Sequence, residues 1–137
     1  MSDAIVTEGT LVEVQNPSTL AWVEVKEVTD FNGPGGASAV IDVTHLQSTR
    51  KEKRVGLPDE GQFSFTVNAL LADAGQTILR NARVARTLLA MRVTFTDTGT
   101  TTASFSCYCL EFTFSGAVDA KVPATVGCEI TGAVTYA

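Results

Sequence analysis

Apolar and polar residues alternate over most of the chain, and this pattern is typical of strands that bury one face. In the segment 62–67, for example, Phe63, Phe65 and Val67 share one face. In the segment 103–115, alternation places Phe112 on the face opposite Cys107. On this basis we predict strands at 9–14, 20–30, 39–44, 62–67, 87–96, 103–115 and 126–136.

One segment has the helical rather than the strand period. Leu71 and Ile78 belong to an apolar series at helical spacing over about 70–85, and Asp73 or Asn68 is the candidate N-cap. A single amphipathic helix beside several strands indicates that the helix covers one flank of a sheet. The sequence therefore predicts a mainly β domain, a β-sandwich or partial barrel with one flanking α-helix.

The segment 45–60 fits neither period and is predicted to be a long loop. It contains five consecutive charged residues at 50–54 and the Gly- and Pro-containing sequence at 56–61. Loops of this length are uncommon inside a domain and are usually functional or ordered by a partner. A charge run can also be a plain solvated loop, so its role as an arm that docks on another copy remains open at this point.

Composition and charge narrow the possible partners. The 137 residues include 19 Thr, and the net charge of −5 comes from 10 basic and 15 acidic side chains. β-Branched residues favour strands, and an acidic chain is a poor DNA-gripping protein because phosphate binding needs clustered positive charge. The same acidity does not exclude a protein past which DNA slides. No run of roughly 18 apolar residues or secretion signal is present, so we expect synthesis in the cytoplasm and no membrane insertion.

A search for catalytic or ligand-binding residues finds no convincing set. His45 is the only histidine and has no nucleophile or metal-spaced partner nearby, so we interpret it as structural. Cys107, Cys109 and Cys128 lack turn-type spacing and a fourth ligand, and we interpret them as reduced, buried thiols rather than a metal site. The glycines at 33–36 lack the helix and lysine of a phosphate loop. We expect no enzyme activity, no cofactor and no metal.

Two segments carry a resemblance to a known family. The sequence at 40–49, Val-Ile-Asp-Val-Thr-His-Leu-Gln-Ser-Thr, and the sequence at 56–65, Gly-Leu-Pro-Asp-Glu-Gly-Gln-Phe-Ser-Phe, resemble the major tail tube proteins of long-tailed bacteriophages. The Gly- and Pro-rich turn at 33–36 and the closing strand at 128–132 match as well. The resemblance is strongest over about 20–70 and looser towards the C-terminus.

The resemblance implies a single tail tube domain over 1–137, without the C-terminal immunoglobulin-like domain of some relatives. It also implies hexameric rings whose inner sheets join into one continuous β-barrel and stack into a hollow conduit for DNA ejection. Further expected partners are a tape measure protein in the lumen, a tail terminator and distal tail or baseplate proteins. The expected location is the tail of the virion.

The expected site residues form two groups. We assign ring and subunit contacts to the charged loop and the turn after it, at Arg50, Lys51, Lys53, Arg54, Leu57 and Asp59. We assign candidate lumen positions to polar strand faces, at Glu24, Asp42, Thr94 and Thr96. A lumen lined by hydroxyls and carboxylates would repel phosphate and let DNA pass.

Two alternatives remain open from the sequence alone. A tube subunit of a contractile or secretion-type injection machine would share this architecture. A monomeric β-sandwich binding module belongs to a different class and should expose a groove lined with aromatic side chains, but aromatics make up only 7% of this chain.

Overall fold

The structure is a computed structural model that describes residues 4–137, and within this range it is mainly β with one helix. The elements follow one another as β1 (Leu11–Gln15), β2 (Trp22–Glu24), β3 (Val28–Asn32), β4 (Ala37–Asp42), β5 (Lys53–Asp59), β6 (Gln62–Asn68), α1 (Ala74–Ala85), β7 (Leu88–Thr94), β8 (Thr102–Phe114) and β9 (Pro123–Tyr136).

Seven of the strands form one antiparallel sheet in the order β2-β1-β7-β8-β9-β6-β3. The sheet curls around a single core, to which each of its central strands contributes alternate side chains. The largest fully buried side chains include Phe63, Phe65, Leu79, Leu89 and Met91. This architecture confirms the predicted mainly β fold with a flanking helix.

A short connection holds the two edges of the curled sheet near each other. Residues 25–27 join β2 to β3, and the Val25 N–H donates to the Val12 carbonyl at 2.9 Å. At the other end of the connection, the Asn68 N–H donates to the Glu27 carbonyl at 2.8 Å. The sequence predicted one strand over 20–30, and this was wrong because the chain turns here, with Glu27 at φ 65°.

The connection also binds the N-terminus of α1. The Asp73 carboxylate caps the helix by accepting the Gln76 N–H at 3.1 Å, and it accepts the Lys26 N–H at 3.3 Å. The Gln76 side chain is fully buried and reaches three backbone groups, those of Lys26, Asn68 and Leu70. The helix therefore begins at Ala74, later than the predicted 70, because 69–73 form the turn that these bonds hold.

A β-bulge in β8 corrects the predicted faces of that strand. The register against β9 shifts between Cys109 and Glu111, so the alternation changes phase at this point. Phe112 thus joins Cys107 and Cys109 in the core instead of lying on the opposite face. Simple alternation would place Tyr108 on the same face as Phe112, but Tyr108 is exposed.

The loop predicted over about 45–60 is shorter than expected. Its second half is β5, which pairs with β4 in a two-stranded sheet separate from the large one. Only residues 43–52 lie between these two strands. The strand β5 was not predicted because it buries neither face. Its sequence therefore lacks the alternation of apolar and polar residues that marks a half-buried strand.

Replacing Gln76 tests the connection between the helix and the sheet edges. In Gln76→Leu, the Leu70 N–H and the carbonyls of Lys26 and Asn68 lose their partner inside the protein. We expect a loss of roughly 3 kcal/mol in the free energy of unfolding, measured by urea denaturation. Asn81→Leu, on the exposed side of the same helix, should change it by less than about 0.5 kcal/mol. Equal losses in the two variants would contradict this role.

Candidate self-assembly surface

Residues 37–59 form a hairpin that stands apart from the large sheet, and we call it the projecting hairpin. Val40 lies opposite Val55, Ile41 opposite Arg54, and Asp42 opposite Lys53. Directly opposed residues in an antiparallel pair share a face, so both faces of the hairpin carry an aliphatic side chain next to a basic one.

Most of the hairpin's side chains are exposed to solvent. Val55 is 76% exposed and Leu57 is 92% exposed, and Val40, Ile41 and Leu46 are more than half exposed as well. An isolated two-stranded hairpin is at best marginally stable in water, and exposed apolar patches on soluble proteins mark interaction sites. The hairpin is therefore a candidate surface for contact with another chain.

The hairpin is the outer half of one long ribbon that bends where it leaves the sheet. The inner half is β3 paired with β6, and the outer half is β4 paired with β5. At the bend, an added Cβ on Gly36 would lie 1.6 Å from the Asp59 carbonyl oxygen, and one on Gly33 would lie 2.6 Å from that of Gln62. The two chain segments thus approach so closely that only glycine fits.

All six predicted contact residues lie on the projecting hairpin. Arg50 and Lys51 belong to its connecting loop, whereas Lys53, Arg54, Leu57 and Asp59 belong to β5. The four basic side chains are exposed, and none is paired with an acidic side chain in the part of the chain that the structure describes. The Asp59 carboxylate instead accepts the Gly61 N–H at 2.9 Å, which stabilises the bend.

Hydrogen bonds hold the loop between β4 and β5. The Asp42 carboxylate accepts the Thr44 N–H at 2.9 Å. Hydrogen bonding by the Thr44 side chain, and then by this N–H, holds the pKa of Asp42 below its ordinary value. His45 lies 3.2 Å from the Glu52 carboxylate, which also accepts a bond from Ser48. His45 thus contacts an acidic side chain within its own loop, and its structural role stays a prediction.

The structure separates the four predicted lumen residues. Glu24 and Thr94 lie on the polar face of the large sheet, where the Thr94 hydroxyl contacts that of Thr102 at 3.3 Å. Asp42 lies on the projecting hairpin, and Thr96 lies beyond the end of β7, where its hydroxyl donates to the Val6 carbonyl. Which of them faces a lumen stays a prediction.

A paired arginine lies on the same polar face. The Arg92 guanidinium makes two hydrogen bonds to the Glu13 carboxylate, at 3.0 and 3.1 Å, and lies 4.2 Å from the centre of the Trp22 ring. Its charge is thus neutralised on a face that also carries the hydroxyls of Ser104 and Ser106. The sequence did not indicate this pair, because Glu13 and Arg92 lie far apart along the chain.

Neither the cysteines nor the groove beside α1 indicates a ligand site. All three cysteines are buried and free, and no metal-holding cluster of His, Cys, Asp or Glu occurs among residues 4–137. An open groove of about 830 Å³ lies between β2 and the turn before α1. Its lining includes Val23, Leu70 and Leu71 and no aromatic side chain, unlike the aromatic-lined groove expected of a binding module.

The fold matches proteins from several tail, tail tube and baseplate assemblies. The chain superimposes on the SPP1 tail tube protein with a TM-score of 0.69 at 13% identity, over 97% of this chain and 78% of that one. A protein from the tail of an empty GTA particle gives 0.75 at 13% identity, with 98% and 99% covered. One from the baseplate of the anti-feeding prophage gives 0.76 at 10% identity, with 100% and 97% covered. At these identities the likeness shows a shared fold.

Comparison of the amino-acid sequence with family models shows which family the chain belongs to. Together, the fold and this family define a structural protein of a viral tail. Residues 3–102 match the model of the lambda-like phage tail tube protein, and the chain belongs to this family. It is therefore a structural subunit of a phage tail tube. No curated protein matches the chain. No helix within residues 4–137 is long and apolar enough to span a membrane.

The buried thiols give a test of the core around β8 and β9. Contact with Cys128 raises the pKa of the Cys109 thiol, contact with Cys107 raises that of Cys128, and burial raises both further, so the reactive thiolate is disfavoured. At pH 8 we expect the folded chain to resist a thiol reagent, while the chain in denaturant should react at all three positions. Rapid labelling of the folded chain, followed by mass spectrometry, would contradict the packing described here.

Proposed function

We propose that six copies of this subunit close into a ring and that rings stack into a hollow tube through which DNA passes. The observation that carries this proposal is the projecting hairpin, which exposes aliphatic side chains on both faces and has no partner within residues 4–137. The GTA tail assembly, whose subunit shares the fold, has sixfold symmetry, and this supports the same number here.

The dimensions of such a ring suit a DNA duplex. If each of six copies supplies four strands spaced ~4.8 Å apart and tilted by ~40°, the closed barrel is roughly 50 Å across at the backbone. Side chains on the inner wall leave space for the duplex and for a tape measure protein before ejection. The excess of carboxylates and the hydroxyl-rich sheet face support a lumen that repels phosphate.

The subunit acts through assembly and needs no chemistry of its own. We infer that it is not an enzyme and works without cofactor or metal, which agrees with the structural nature of its family. Its further partners would be a tail terminator and the distal tail or baseplate proteins, with synthesis in the host cytoplasm and assembly into the virion tail. The lambda-like family favours a non-contractile tail, although the fold is shared with contractile injection systems.

The basic residues of the hairpin are the proposed source of specificity between copies. Arg50, Lys51, Lys53 and Arg54 are close in sequence and exposed, whereas the chain as a whole is acidic. Opposite charges on two different faces favour head-to-tail contacts, in which one face of a copy meets a different face of the next. Leu57 adds apolar area to the same contact.

Charge reversal tests the docking role. In the variant with Arg50, Lys51, Lys53 and Arg54 replaced by Glu, we expect a folded monomer by circular dichroism, because none of these side chains is buried. Rings and tubes should be lost in electron micrographs of the concentrated protein, because the hairpin would then repel an acidic neighbour.

A matched pair of double variants provides the control. Lys53→Glu with Arg54→Glu changes the charge as much as Arg83→Glu with Arg86→Glu on the exposed side of the α1 C-terminus. We expect the first pair to raise the protein concentration needed for assembly at least tenfold and the second to leave it nearly unchanged. Normal tubes from the fourfold variant would refute the docking role of these residues.

A further inference from the structure

Four sulfur atoms lie together in the core where β8 pairs with β9, and we call this group the sulfur cluster. Its members are Met91, Cys107, Cys109 and Cys128, and all four side chains are buried. The Cys128 thiol donates to the Met91 sulfur at 4.0 Å, and it contacts the thiols of Cys107 and Cys109. Core packing needs only apolar side chains here, so the grouping of oxidisable thiols is a separate feature of this core.

The strand register determines which two thiols can be joined. Cys109 lies directly opposite Cys128, whereas Cys107 lies opposite Ile130 and is therefore diagonal to Cys128. Directly opposed residues of antiparallel strands have Cα atoms roughly 4.5–5.5 Å apart, which is within the span of a disulfide. Diagonal neighbours lie roughly 7–8 Å apart, which exceeds that span unless the backbone moves. The geometry therefore favours a bond between Cys109 and Cys128.

We propose that Cys109 and Cys128 form a disulfide bond when the assembled subunit leaves the reducing cytoplasm, and that this bond locks β8 to β9. The timing rests on the proposed function, because a chain that is made and assembled in the cytoplasm keeps its cysteines reduced. Outside the cell, the tail meets peroxides without a thiol pool to reverse the oxidation. Assembly of a reduced subunit is thus separated from the later hardening of the finished tube.

Hydrogen peroxide is the oxidant in this step. Cys109 is the more exposed of the two thiols, at 4% against 1% for Cys128, and its thiolate displaces hydroxide from the peroxide to form a sulfenic acid. The Cys128 sulfur then attacks the sulfenic sulfur, the S–S bond forms, and hydroxide leaves. The two hydroxide ions take up the two protons that the thiols lost. In total, two thiols and one peroxide give one disulfide and two waters.

The reaction is slow in the folded chain, which suits a bond that forms only after release. Contact with another thiol and then burial raise the pKa of Cys109 and of Cys128, so the reactive thiolate is scarce. The β-bulge that follows Cys109 interrupts the β8–β9 ladder and makes this the place where the pair opens most easily. Peroxide is small enough to enter during such openings, whereas bulkier thiol reagents are excluded.

Peptide mapping of the oxidised chain tests which thiols are joined. The folded protein is incubated with hydrogen peroxide at pH 8, unfolded with an alkylating reagent present, and digested without reduction. Chymotrypsin cleaves after Tyr108 and so separates Cys107 from Cys109 before mass spectrometry. We expect a linked pair of peptides that contain Cys109 and Cys128, release of this pair by dithiothreitol, and alkylation of Cys107 alone. A link through Cys107, or three alkylated cysteines after prolonged oxidation, would overturn the proposal.

Two matched variants on the same face of β8 provide the control. Cys107→Ala and Cys109→Ala each remove one buried thiol and leave a small apolar side chain. Peroxide should raise the melting temperature of the native chain and of Cys107→Ala by roughly 10 °C, because the bond closes a loop in the unfolded state. The melting temperature of Cys109→Ala should not change on oxidation. Equal shifts in the two variants would contradict the lock.

Measurements on tubes separate this proposal from the proposed function. Electron microscopy shows whether the reduced chain assembles, and the peptide mapping is then repeated on the tubes. Tubes that lack the linked peptides after oxidation would overturn the lock and leave the tube function intact. Absence of tubes would overturn the proposed function and the timing of the lock, whereas linked peptides from the single chain would still establish the pairing.

Discussion

The arrangement of this molecule depends on one constraint: the backbone N–H and C=O groups at strand edges need hydrogen-bond partners. The curled sheet reduces its own exposed edge by bringing β2 and β3 together through residues 25–27, which bond to Val12 and Asn68. Some strand edges remain unpaired, because the outer half of the ribbon and the C-terminal end of β9 each have an edge without a strand partner in the part of the chain that the structure describes. In the single chain the backbone groups on these edges can bond only to water, and unpaired edges of this kind favour pairing with another chain.

The core and the helix turn make this arrangement stable enough to persist in a single copy. Gln76 and Asp73 join the start of α1 to the connection between the two sheet edges, and a buried network of this kind fixes one geometry. The apolar core lies entirely on the inner face of the sheet. The outer face and the hairpin are thus free to serve assembly without weakening the core.

Much of the fold could be predicted from alternation alone, because strands such as β6 and β7 bury one face and expose the other. The prediction failed for segments that do not bury one face and expose the other along their whole length. β5 buries neither face, so Lys53–Asp59 was predicted as loop, and the bulge after Cys109 changed which face Phe112 occupies. The six contact residues were predicted on one segment and do lie on one hairpin. The free edge of β9 could not be predicted, because it depends on where the neighbouring strand bends away.

The crowded bend at Gly36 has a thermodynamic consequence for association. Because there is no room for a Cβ beside the Asp59 carbonyl, the two chain segments lie in direct contact at Gly36, and this restricts the directions in which the hairpin can leave the sheet. A hairpin whose orientation is already restricted loses less conformational entropy when it docks than a disordered segment does. Even an alanine at this position would therefore weaken association between subunits without altering a single residue of the interface.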